Sequence, residues 1–456
     1  MLGLPIELWY LIALVVFVSL FFIVLKRPMY EVMTLSFIFV IVISGSYDKF
    51  WTSLLYPSTS SLFYAIFAFL VVAVIFDSTK VVHHIIQFML SVVGRFRGGA
   101  GYVSLLGSTF MASLSGTGPG NVAATGVFTI PTMKKAKYPA PLAATVEMSA
   151  SMLGNIIPPS GIVILTYGIL NELQPEAISL NSWMVAAYGV GFWFFVQRWL
   201  TLWVLCKVYK VEPIQTDLLP KFSDTFKVSW PALLLPLIIF LPLFADAQFK
   251  DLIVDRIGEN GSQAFSSSVL MFTPGLAGAY AIWIGRKHIP ERQFQLRFLF
   301  NVFRESLLKV VPISVTIYMA YATSQIFVAM KMEEVVREWF ISLDLSLGLL
   351  IVILPIFFAL LGMILPGSAQ IAILGGAMIA AFSALGGDAT LFAALLPAMT
   401  GALEGMTPPL ALGLFVAMGI AGSSFKETTK LAVVWIIFHL LLSMILLTGL
   451  LPIFGL

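Results

Sequence analysis

The chain has 456 residues, 59% of them hydrophobic and 11% charged, with a mean hydropathy of +0.97 and a net charge of +3. Soluble domains carry roughly 25% charged residues, so a water-soluble fold is excluded; the small net charge, carried by loops beside apolar runs, gives no reason to expect a nucleic-acid partner. The single cysteine, Cys206, excludes an internal disulfide and a cysteine metal cage.

Apolar runs of about 20 residues recur from end to end, which predicts an all-α polytopic membrane protein. The runs are continuous rather than alternating, which argues against a transmembrane barrel. In chain order, spanning helices are expected at 4–25, 30–45, 57–77, 183–206, 229–247, 267–285, 307–329 and 431–451, with composite regions at 98–171 and 345–421. The first run, Pro5 to Leu25, has no basic leader and continues into Lys26-Arg27, so it reads as a retained helix rather than a signal peptide.

Lysine and arginine favour the cytoplasmic side. One threading puts Lys26-Arg27, Arg95, Arg97, the Lys134–Lys137 group, Lys207, Lys210, Arg286-Lys287, Lys426 and Lys430 inside. It leaves the N-terminus outside, together with the acidic Glu172–Glu176 loop and a 248–266 loop. Between Arg97 and Lys134 lie 36 residues without a charge. At about 1.5 Å per residue they could cross a bilayer of about 30 Å almost twice, yet both flanks are basic. Their middle, "SLSGTGPGN" from Ser113 to Asn121, is rich in helix breakers. This predicts a re-entrant hairpin entering from the cytoplasm. Leu345 to Gly387 is likewise free of charge, flanked by Asp344 and Asp388, with "LPGSAQ" at its middle. That predicts a second hairpin entering from outside.

Behind each hairpin comes a helix broken by paired prolines, Pro158-Pro159 and Pro408-Pro409, which are 250 residues apart. The same offset carries Ala143-Ala144 onto Ala393-Ala394, and Gly126 onto Gly376. Amphipathic arms precede both hairpins, Lys80 to Arg97 and Lys331 to Asp344. With opposite charge at the two hairpins, the pattern is an inverted repeat whose broken helices meet near the membrane midplane, the architecture of secondary transporters. The expected organisation is scaffold and first arm at 1–97, transport half at 98–171, scaffold and second arm at 172–344, second transport half at 345–421, and a last scaffold helix at 422–456.

Two stretches resemble signature blocks of the large membrane subunit of TRAP transporters, which are tripartite, ATP-independent and dependent on a periplasmic binding protein. The first is "GTGPGNVAATGVFTIPTMKKAKYPAPLAATVEMSASMLGNIIPPSGIVILTYGIL", Gly116 to Leu170; the second is "EGMTPPLALGLFVAMGIAGSSFKETTK", Glu404 to Lys430. Between them "GMILPGSAQ" is similar to the second hairpin of the branch served by TAXI binding proteins. The resemblance implies an elevator mechanism, in which hairpins and broken helices slide against a scaffold, and sodium-driven uptake of a carboxylate across the bacterial inner membrane. It also implies delivery by a periplasmic binding protein and a separate four-helix membrane subunit. Glu404 departs from the family pattern, in which small or apolar residues precede the second Thr-Pro-Pro; a carboxylate there would add an ion ligand or carry a proton.

Sodium is a hard cation, and by analogy with other hard ions it takes carbonyl, hydroxyl and carboxylate oxygens. Two sodium sites are therefore expected, and no organic cofactor. One pairs Ser113, Ser115 and Thr117 with the carbonyls around Asn155 and Pro158; the other pairs Gly367 and Ser368 with Glu404, Gly405 and Thr407. Asn121 and Gln370 are candidate substrate contacts, as are the intramembrane Arg198 and Arg304, either of which could pair with a carboxylate or snorkel to the interface. Glu147 is expected to contact the Lys134–Lys137 group. His83-His84, without acidic or cysteine partners nearby, read as interfacial. Proton coupling through Glu404 and a passive channel are the alternatives to sodium transport. An intramembrane serine protease built on Ser115 and His439 is the enzyme alternative; it would leave the second hairpin and the repeat unexplained.

Overall fold

The structure is a computed structural model and describes residues 5–60, 63–64, 67–68, 71–72, 75–76, 79, 81–115, 118–175, 177–214, 219–286, 296–342, 345–363, 365–408 and 411–456. Among these, all regular elements are helical. Six stretches are long and apolar enough to cross a membrane: Leu180–Val208, Phe222–Asp246, Lys250–Gly285, Val310–Ala329, Gly367–Ala384 and Phe425–Leu447.

α1 (Ile6–Ser19) and α2 (Met29–Ser44) each start directly after a proline, Pro5 and Pro28, whose fixed φ suits the turn into a helix. α2 stops at Gly45, which takes φ 70°, the left-handed cap that glycine adopts without steric cost. The helix expected at 57–77 lies largely outside the described residues; the described pairs from 63 to 76 are helical. The first arm is α3 (Val81–Val93), which buries Val81, Ile85, Ile86 and Leu90 on one face.

α4 (Gly99–Ser115) and α5 (Gly118–Lys135) pack along each other. α6 (Ala140–Ser151) breaks into a 3-10 turn at Met152–Asn155 before α7 (Gly161–Leu173) resumes. The break has a local cause. In a continuous helix the carbonyl of Asn155 would accept from residue 159, but Pro159 has no N–H. The Ser160 hydroxyl takes that carbonyl instead, at 3.2 Å. α8 (Leu180–Val208) follows, capped at its start by Ser179, and α9 (Phe222–Leu233) and α10 (Leu235–Gln248) come next.

The expected 248–266 loop is instead helix. α11 runs over Lys250–Gly285 with a kink at Gly258, where φ is 74°. The charges that suggested a loop lie on an exposed helix surface: Lys250, Asp251, Asp255, Arg256 and Glu259 are all at least partly accessible. After α12 (Leu296–Ala329) and the second arm α13 (Met332–Ser342), the pattern repeats: α14 (Leu347–Gly362), α15 (Gly367–Ala384), α16 (Ala389–Ala402), α17 (Leu412–Ala421) and α18 (Phe425–Leu447). The copies are not packed alike. α14 does not run along α15 as α4 runs along α5; it lies against α18 and the π-helical end of α16.

α5 and α15 start 249 residues apart (118 to 367), as do α6 and α16 (140 to 389). The proline pairs are 250 apart, so the second copy carries one extra residue between its break and its prolines. Ala143 and Ala144 in α6, and Ala393 and Ala394 in α16, are all buried. Small residues let helix backbones approach closely where lipid offers no hydrophobic drive between helices.

Candidate functional site

The two breaks are tied to the starts of α5 and α15 by one repeated bond. Gly118, the first residue of α5, donates its backbone N–H to Asn155 Oδ1 at 3.0 Å. Gly367, the first residue of α15, donates its N–H to Glu404 Oε2 at 2.5 Å. Both bonds span 37 residues. A helix start leaves backbone donors without intrahelical partners, and here each start is capped by the side chain at the facing break. Glu404 therefore stands where the first copy has Asn155. Asn155 also reaches across: its Nδ2 donates to the Gly401 carbonyl of the other broken helix at 2.5 Å.

Asn121 and Gln370 are likewise 249 residues apart and fully buried. Asn121 Nδ2 donates to the carbonyls of Ser108 at 2.8 Å and Ser151 at 3.3 Å. Gln370 Nε2 donates to the Leu365 carbonyl at 2.8 Å. Because each NH2 faces carbonyl oxygens, the amide orientation is fixed. Asn121 Oδ1 and Gln370 Oε1 are left buried with no hydrogen-bond partner among the described residues. Such groups are rare in folded proteins, and each one asks for a ligand or water.

A third matched pair lies behind the breaks. Arg198 on α8 is buried and donates through Nε to the Ser149 carbonyl at 2.7 Å. His439 on α18 is buried, with Nε2 3.0 Å from the Ala398 carbonyl. Ser149 and Ala398 are again 249 residues apart. Arg198 Nη2 is 3.4 Å from His439 Nδ1. A carbonyl at Nε2 and a guanidinium at Nδ1 fit the neutral imidazole protonated at Nε2. Arg198 thus neither snorkels nor faces a hairpin; it holds the backbone of a broken helix. Arg304 is exposed on α12 and makes no bond to the breaks.

The remaining expected ligands divide. Thr407 is buried, and its hydroxyl donates to the Leu403 carbonyl at 2.7 Å. The Gly405 carbonyl accepts from Leu414 N at 3.1 Å. Ser368 is half-buried and Pro158 is buried. Thr117 lies outside the described residues, and Ser113 and Ser115 are described in backbone only. Glu147 does not meet the lysines. Lys134 Nζ instead bonds the Ala421 carbonyl and Lys137 pairs with Glu212, while Glu147 is surrounded by hydroxyls. Sequence reasoning missed this cluster, although its signal is there: Ser104 and Ser108, Thr125 and Thr129, and Glu147 and Ser151 are each i,i+4 pairs on neighbouring helices. No group of three or more His, Cys, Asp or Glu side chains converges as a metal site among the described residues.

A family model described as the DctM component of tripartite ATP-independent periplasmic transporters matches residues 1–453. The chain belongs to this family. It is thus the large membrane subunit of a TRAP transporter. The chain is 24% identical over 361 residues to the C4-dicarboxylate TRAP transporter large permease protein of Pseudomonas aeruginosa, covering 78% of this chain and 77% of the relative. It is 24% identical over 350 residues to the 2,3-diketo-L-gulonate TRAP transporter large permease protein of Escherichia coli, covering 76% and 75%. Among solved structures it resembles MtrF of Neisseria gonorrhoeae, described as illuminating a class of antimetabolite efflux pumps. The TM-score is 0.64 at 15% identity, over 90% of this chain and 85% of that one. At that identity the likeness establishes the polytopic transporter fold alone. A family of transporters removes the protease alternative, and His439 is engaged with Ala398 and Arg198.

Proposed function

We propose that this TRAP subunit carries a small organic acid across the bacterial inner membrane, driven by sodium bound at the two hairpin–break junctions. The observation that supports the reading is the duplicated pair of buried amide oxygens, Asn121 Oδ1 and Gln370 Oε1, each without a hydrogen-bond partner among the described residues and each beside a capped helix start. Neutral amide oxygens and a nearby carboxylate, Glu404, are the donors a hard cation selects. Helix starts at the same junctions favour an anionic substrate. Two relatives are named for carboxylate substrates, a C4-dicarboxylate and 2,3-diketo-L-gulonate, which fits that electrostatic preference.

In this reading α4–α7 and α14–α17 move as one elevator unit. The buried bonds of Arg198 and His439 to both broken helices argue that α8 and α18 travel with them rather than standing in the scaffold. The inversion of the two halves, the periplasmic N-terminus, the separate small membrane subunit and the periplasmic binding protein complete the proposed assembly. Glu404 in place of an asparagine favours a second reading, in which a proton replaces one sodium.

The melting temperature of the detergent-purified protein, followed against sodium with potassium and choline as controls at several pH values, tests both. A ligand that binds only the folded state adds RT ln(1 + [L]/Kd) of stability. A saturable, sodium-specific rise is expected; a response to pH alone would replace sodium with the proton.

A further inference from the structure

The transport reading makes no use of Glu147, which is fully buried. Five hydroxyls surround its carboxylate. Ser108, Thr125 and Ser151 lie 3.1, 2.5 and 2.8 Å from Oε1. Ser104 and Thr129 lie 2.6 and 2.5 Å from Oε2. All five are fully buried. They come from three helices, α4, α5 and α6, so the cluster exists only in the folded junction.

The cluster belongs to the first copy alone. At the 249 offset, Thr125, Thr129 and Glu147 correspond to Leu374, Met378 and Leu396, all buried and all apolar. Of the hydroxyl positions, Ser151 corresponds to the buried Thr400, and Ser104 and Ser108 to the exposed Ile353 and Phe357, so the second copy has no counterpart of the carboxylate cluster. An ionisable group inside a membrane protein is costly to keep, and by default it is functional.

Among the described residues no cation bonds the carboxylate. Of the elements packed on α6, α4 brings Tyr102, which stacks on Trp199, and α5 brings Lys134 and Lys135, the former bonded to Ala421. α18 brings Lys426, Glu427, Lys430 and His439, and α8 brings Tyr188, Arg198, Cys206 and Lys207. Of these, Arg198 and His439 bond the carbonyls of Ser149 and Ala398 instead. α17 has no titratable residue.

A hydroxyl has one proton and two acceptor sites, and it rotates to suit its neighbours. Thr125 Oγ1 lies 2.5 Å from Glu147 Oε1 and 2.8 Å from the Asn121 carbonyl, two acceptors for a single proton. With Glu147 ionised, that proton points to the carboxylate. When a proton arrives from water on Glu147 Oε1, the new O–H donates to Thr125, and Thr125 turns its own proton to the Asn121 carbonyl. Thr125 is satisfied in both states, and the proton leaves by the reverse exchange. A metal ion fits less well. Hard cations sit roughly 2.3–2.6 Å from each oxygen, which would force these hydrogen-bonded oxygens apart.

We propose that Glu147 and its hydroxyls form a proton-binding site within the membrane, separate from the hairpin–break junctions, and that Thr125 links its occupancy to Asn121. The proposal stands independently of the sodium reading, and its failure leaves that reading intact.

Infrared difference spectroscopy between acid and alkaline pH tests it directly on the purified protein, with Glu147→Gln and Glu404→Gln beside the wild type. The expected result is a carboxylic-acid carbonyl band that titrates in the wild type, persists in Glu404→Gln and disappears in Glu147→Gln. Absence of the band in the wild type, or its loss in Glu404→Gln alone, overturns the proposal. Thr125→Val serves if Glu147→Gln does not fold: it keeps the carboxyl but removes one hydrogen-bond partner, so the band should move to higher frequency. A band unmoved in that variant overturns the link to Asn121.

Discussion

Asn155 and Glu404 perform the same task in the two halves of the molecule: each accepts the backbone N–H that opens a helix, α5 or α15, from a residue 37 positions earlier. One does so as a neutral amide, the other as a carboxylate. The capping bond and the charge can therefore be separated by mutation.

Glu404→Gln keeps an acceptor for Gly367 and should fold with near wild-type stability, while its response to sodium changes. Glu404→Ala leaves the Gly367 N–H without a partner, and an orphaned buried donor costs about 1–3 kcal/mol. Thermal melting with and without sodium distinguishes the two. Equal melting temperatures for the alanine and glutamine variants would show that the cap contributes nothing.

Asn155→Ala should be more damaging than Glu404→Ala, because it strands both Gly118 N–H and the Gly401 carbonyl. The expected loss is about 2–6 kcal/mol, the cost of two such groups. Chemical denaturation in detergent measures it, and a loss no greater than that of Glu404→Ala would count against the cross-bond to Gly401.

Asn121→Ala, Gln370→Ala and Thr407→Val each remove an oxygen proposed to face sodium. Each should weaken the sodium-induced rise in melting temperature by about tenfold in midpoint, which corresponds to about 1.4 kcal/mol. A variant that folds and keeps the wild-type midpoint removes its residue from the ion site.

Arg198→Lys retains a charge but not the planar fork, so it cannot serve the Ser149 carbonyl and His439 together. The melting temperature and turnover should fall while substrate affinity is kept. A selective loss of affinity instead would return Arg198 to the substrate.

A cysteine at Lys135, in a Cys206→Ala background, should react only with reagents applied from the cytoplasmic side. Cys206 is buried against Tyr138 at 3.2 Å, so its removal clears the background. Labelling from the periplasm would overturn the threading and with it the inverted reading of the repeat.

The polytopic helical class and the paired breaks were legible because they depend on composition and proline, which act locally. Asn155, Asn121, Gln370 and Glu404 were legible as polar residues at the breaks. Their pairing at 249 was not, since the proline pairs, the stronger landmark, lie at 250. The helix over Lys250–Gly285 was hidden because exposed helical charges and loop charges look alike in a one-dimensional pattern. Arg198 and the hydroxyls around Glu147 could not be assigned because their partners come from other helices. Ser104, Thr125 and Glu147 meet only once the crossing of α4, α5 and α6 is known.

The closeness of the two breaks bears on how the halves can change. A β-carbon at Gly405 would run into Met152, and one at Gly367 into the backbone of Gly401. Met152 belongs to the first break and Gly405 to the second. The two copies are therefore sterically coupled at this spot. A side chain at Gly405 has to be matched by a smaller residue in place of Met152, so that at this contact a change in one half constrains the other.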